Sequence, residues 1–153
     1  RSCSEYSPRQ VSRAETSFAK KGPFPHDAVH FAVEKHLCLA NGFWGMVAAG
    51  HHPEELVEVA KMAGHASAKR AEVPQPHIIE LLQAERIVEC FEADLWSGPA
   101  ENSMLRETIE AACGYSYVPV PPMDGRSIAA IRDELAQLGN QWANGRIEFH
   151  WAN

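Results

Sequence analysis

From Ile128 onward the apolar residues recur at Ile131, Leu135, Leu138 and Trp142, in alternating steps of three and four that draw one continuous stripe along a helix. Such a stripe has to be covered, either by another helix of the same chain or by a second copy. Asp124 stands where an N-cap belongs. The same periodicity recurs upstream. Ile78, Leu81, Val88, Phe91 and Leu95 predict a long helix over about 76–96, closed by Ser97-Gly98-Pro99, and a further helix follows from about Glu101 to Cys113, ending at Gly114. Val29, Val33 and Leu37 predict a helix that opens near Pro25 and stops at Asn41-Gly42.

Between these lie shorter pieces. Phe43 to Ala49 is apolar on all sides and suits a short buried helix. Pro53-Glu54-Glu55 opens another helix, with its acids at the positive end of the dipole and Gly64 as its stop, and 66–76 reads as a loop. Tyr115 to Met123 is rich in proline and therefore extended. Arg146 to Trp151 alternates strictly, which predicts a closing strand with Ile147, Phe149 and Trp151 on its buried face. Its partner is expected in the arm at 1–24, where Val11 to Phe18 alternates weakly. The expected architecture is mainly α, within α+β: a helical bundle-like body with a small sheet formed by the N- and C-terminal segments. At 153 residues and 45% hydrophobic content, one domain over 1–153 is the natural division.

Charge and composition narrow the partners. Twenty acidic against 14 basic residues give a net charge of -6, and no basic run is longer than Lys69-Arg70, so a nucleic acid is not expected. The longest apolar stretch falls well short of the roughly 20 residues of a membrane helix. The cysteines Cys3, Cys38, Cys90 and Cys113 are far apart, and the last three fall in predicted helices. They are expected to be reduced packing residues of a cytoplasmic protein.

One segment is chemically pointed, His26-Asp27-Ala28-Val29-His30. Residues four apart on a helix are offset by only about 40°, so both imidazoles can face one point, where a metal ion could bridge them. The segment resembles the H-E-x-x-H motif of the zincins, with Asp in place of Glu. That resemblance implies zinc, with His26 and His30 as ligands and Asp27 as the general base, though the shorter Asp reaches about one carbon less far. The stretch from Pro25 to Gly50, with Pro-His-Asp and Gly-Phe-Trp-Gly, also resembles a group of small bacterial proteins of unknown function, which implies no activity.

A third ligand has to come from elsewhere. Glu34 lies about 12 Å along the axis from His26, too far to share one ion easily, which leaves it beside the site or as a proton carrier alongside Asp27. Glu85, Glu89 and Glu92 border the apolar face of the long helix, with Glu85 the first choice. His51 and His52 are alternative nitrogen ligands. The functional expectation is a small zinc-dependent hydrolase acting on a small molecule or peptide. Two other readings stand beside it: core histidines satisfied by hydrogen bonds, and a non-catalytic interaction domain that forms a homodimer through the Ile128–Trp142 stripe or the Phe43-Trp44 surface.

Overall fold

The computed structural model of the chain describes residues 24–70, 74–149 and 151. Its helices are α1 (His26–Leu37), α2 (Phe43–Ala48), α3 (Pro53–Arg70), α4 (Ile79–Ser97), α5 (Asn102–Tyr115) and α6 (Gly125–Ala143), with a single 3-10 turn, Pro76–Ile78, leading into α4. Helix α1 packs between α4 and α6, α5 covers another side of α4, and α2 with α3 closes the end of the body near α1 and α4.

Local chemistry accounts for the boundaries. Asp124 accepts from the Ser127 backbone N–H at 2.9 Å, and the Ser127 hydroxyl sits 3.5 Å from the Asp124 N–H, so α6 opens with a reciprocal capping box. Helix α4 ends at Gly98, whose φ of 85° is open to glycine at little cost. Ile128, Ile131, Leu135 and Leu138 of the stripe are all buried in the same core as Val29, Val33 and Phe91. From Ile128 to Leu138 the stripe predicted from spacing is therefore covered within the chain, where α6 packs on α1, and Trp142 beyond it is half-buried. Phe43 is likewise buried, and Trp44 is half-buried against both core clusters.

Three expectations are corrected. Among the described residues there is no strand, so the expected small sheet is not supported: 146–149 and 151 form none, and the arm proposed as its other half lies largely outside those residues. The alternation at the C-terminus did mark burial. Ile147, Phe149 and Trp151 pack on the core, with Phe149 at 4.6 Å from the Phe31 ring and 5.2 Å from Trp44, and Trp151 at 6.2 Å from Phe31. The Glu148 N–H donates to the Gln141 side chain rather than to a ladder. Helix α3 runs through Gly64 to Arg70 and takes in much of the expected loop, because Ala66, Ala68, Lys69 and Arg70 favour a helix and one interior glycine costs only about 1 kcal/mol.

The third correction concerns cysteine. Cys38 is disulfide-bonded, whereas Cys90 and Cys113 are free and buried. Cys38 is exposed just beyond α1 with a φ of 56°, so it is not the helical packing residue its sequence context suggested. No described helix is long and apolar enough to cross a membrane.

Candidate metal centre

Helix α1 begins where Pro25, extended at φ -66° and ψ 131°, hands over to His26, and the Pro25 carbonyl accepts from Ala28 and Val29. His26 therefore occupies the first turn and His30 the second. The Trp44 indole N–H donates to the Asp27 backbone carbonyl at 2.8 Å and ties this turn to α2. The two imidazoles lie edge to face, with ring centroids 4.8 Å apart and planes at 74°. The Phe43 ring, 5.4 Å from His30, forms an apolar wall beside them.

Glu85 reaches this pair from α4. Its Oε1 is 2.9 Å from His30 Nε2 and its Oε2 is 3.9 Å from His26 Nε2, so one carboxylate faces both Nε2 atoms. His26, His30 and Glu85 each offer a ligand atom within 4.8 Å of the others. A tetrahedral ion with bonds of about 2.0 Å holds its ligand atoms about 3.3 Å apart, so small side-chain movements bring all three into range.

The opposite nitrogens are also held by carboxylates. His30 Nδ1 bonds Glu34 Oε2 at 2.9 Å, and His26 Nδ1 bonds Glu92. Glu34 is fully buried, and its Oε1 accepts the Trp44 backbone N–H at 2.8 Å, with the Gly45 N–H contributing, so that its carboxylate caps the start of α2. Two glycines permit this. A Cβ at Gly42 would collide with the Glu34 carboxylate, and one at Gly45 would collide with the Ala40 carbonyl.

His30 is 1% exposed, and its Nε2 has no aligned hydrogen-bond partner among the described residues. Glu85 Oε1, at 2.9 Å, pairs with that nitrogen from off the ideal ring N–H direction. A buried polar atom of this kind needs a partner.

Electrostatics follow from these contacts. Burial opposes charge on His30, but the Glu34 hydrogen bond and the Glu85 carboxylate outweigh it and push its pKa up to about 9. The Glu92 hydrogen bond raises His26, against burial and the neighbouring His30. Burial raises Glu34 despite the His30 contact. For Glu85, burial acts upward, yet His30 and His26 hold it below the usual carboxylate range.

The structure thus brings together His26, His30 and Glu85. It sets Glu34 on the far side of the His30 ring, away from Glu85. Asp27 is half-buried in the same turn, and its charge is felt by His26, His30 and Glu85. Glu89 is exposed and paired with Arg86 at 3.0 Å, and His51 and His52 lie exposed before α3. The sequence signal for the His30–Glu34 contact is their four-residue spacing, which the longer separation of Glu34 from His26 obscures. The backbone cradle at Trp44 and Gly45 has no side-chain signature. No protein-family model, curated protein or solved structure matches the chain.

Proposed function

We propose that this chain binds one divalent transition-metal ion through His26 Nε2, His30 Nε2 and Glu85, and that the ion is zinc serving a hydrolytic site. The observation carrying the reading is the double pairing of each imidazole: Nε2 toward Glu85, Nδ1 on a carboxylate. Metal-binding histidines characteristically donate their other nitrogen to a carboxylate, which fixes the ring and strengthens the ligand. Two imidazoles and one carboxylate suit zinc and leave a fourth position for water or substrate.

A bound zinc ion lowers the pKa of water to near 7. In this reading Asp27 handles the proton. Glu34 is a positioning residue, since both its oxygens are engaged by His30 and by the α2 backbone. The substrate is a small molecule or peptide.

A second reading has support of its own. Trp96 is 73% exposed and Leu95 50% exposed at the end of α4, the kind of apolar surface on which a homodimer or an interaction domain relies. The cytoplasmic expectation rested on reduced cysteines, and the disulfide at Cys38 removes that support.

Elemental analysis of protein purified without added metal tests the first reading, with His26→Ala and Glu85→Ala alongside. One equivalent of zinc in the parent and a small fraction in both variants is the expected result. An absence of metal in the parent, or full retention in both variants, overturns it. A hydrodynamic mass of two chains that falls to one in Trp96→Ser would favour the second.

A further inference from the structure

The proposed ion has a fourth coordination position, and the charges around it decide what can occupy that position. Glu85 is a ligand. Glu34 and Glu92 hold the two Nδ1 atoms. Asp27 interacts electrostatically with His26, His30 and Glu85, and Glu89 does so with Glu85, His26 and Glu92. Among the described residues, Arg86 is a cation set against these carboxylates, bound at 3.0 Å to Glu89. With all five carboxylates ionised, adding a dipositive ion to Asp27, Glu34, Glu85, Glu89, Glu92 and Arg86 leaves this set of described residues two charges negative. Of the chain's net -6, those six residues carry -4, and the remainder of the chain, at -2, has the same sign.

This inference rests on the metal reading and deepens it. The cluster does not stand on acidity alone, because the buried and unaligned Nε2 of His30 is aimed into it. From these charges we infer that the fourth position selects neutral or cationic ligands, such as an amide, ester or amine, and rejects phosphate and carboxylate anions. One uncompensated unit charge at about 10 Å, at an effective dielectric near 20, shifts the affinity of a singly charged ligand on the order of tenfold.

The cobalt(II)-loaded chain provides the readout, since its visible absorption responds to the fourth ligand. The parent and Glu89→Gln are titrated at constant ionic strength with imidazole as the neutral probe and with azide and inorganic phosphate as anions. Glu89→Gln removes a negative charge and frees Arg86 without touching the ligands. The expected result is that imidazole perturbs both spectra equally, whereas azide and phosphate bind about threefold or more tightly to Glu89→Gln than to the parent. Equal anion affinity in the two proteins, or parent phosphate affinity exceeding that for imidazole, overturns the inference while leaving the metal reading intact. Cobalt that fails to load, or loads equally well in His30→Ala, overturns both.

Discussion

His30 carries more of this site than any other residue, because its ring is buried and both nitrogens face carboxylates. In the metal-free chain its pKa stands at about 9 against an ordinary 6.5. A raised histidine binds its proton more tightly folded than unfolded. Its stabilising contribution is complete below pH 6.5 and disappears as pH rises through about 9. Urea midpoints of the metal-free protein should fall across that window, and in His30→Gln the fall should shrink. Metal binding must displace the same proton, which by itself should make apparent zinc affinity climb by about tenfold per pH unit over pH 7–9, and any proton displaced from His26 steepens the climb. Competition titration with a chromophoric chelator measures it. Glu34→Gln should weaken zinc binding by about 10- to 100-fold while leaving the three ligands in place, the range found when such supporting carboxylates are altered. Unchanged affinity would reduce Glu34 to the cap of α2.

At the scale of elements, the end of α4 and the start of α5 are joined to the middle of α6 by one partly buried knot. Asp94 accepts two hydrogen bonds from Arg132, at 3.2 Å each, and one from the Ala100 N–H at 2.8 Å, while Arg132 also reaches the Ala100 carbonyl and Asn102, both at 2.8 Å. Asp94→Ala strands a partly buried guanidinium and should cost about 3 kcal/mol in chemical denaturation. Gly45→Ala should cost a similar amount, about 3 kcal/mol, since its Cβ meets backbone and not a movable side chain. Most elements were legible because the helices here announce themselves by period and punctuation, as with Ile128 to Leu138 behind Asp124. The C-terminal alternation was misread because a period of two records which side chains are covered, not whether the backbone pairs. Phe149 and Trp151 are covered by rings on α1 and α2. Gly64 was a weak stop because the residues after it favour a helix.

For the whole molecule, the site depends on α1 being clasped by α4 and α2. Spacing alone brought His26, His30 and Glu85 to notice, since two of them share a helix turn and the third borders an apolar face. Which way Glu34 turned was a tertiary matter, decided by free N–H groups at the start of α2. Cysteine chemistry was not legible from spacing, because a disulfide depends on what folds beside Cys38. Without reductant, the native chain should leave Cys38, Cys90 and Cys113 unlabelled by an alkylating reagent. Cys38 is bonded, and burial pushes the other two thiols up to about 11. After mild reduction, peptide mass spectrometry should find Cys38 labelled first. Rapid labelling of Cys90 or Cys113 would contradict the packing of α4 against α5.

X-ray absorption at the zinc edge of the zinc-loaded chain tests the central claim most directly. The account predicts nitrogen and oxygen scatterers at about 2.0–2.1 Å with the outer-shell signature of two imidazoles. Sulfur at about 2.3 Å, or a first shell of oxygens without imidazole, would contradict it.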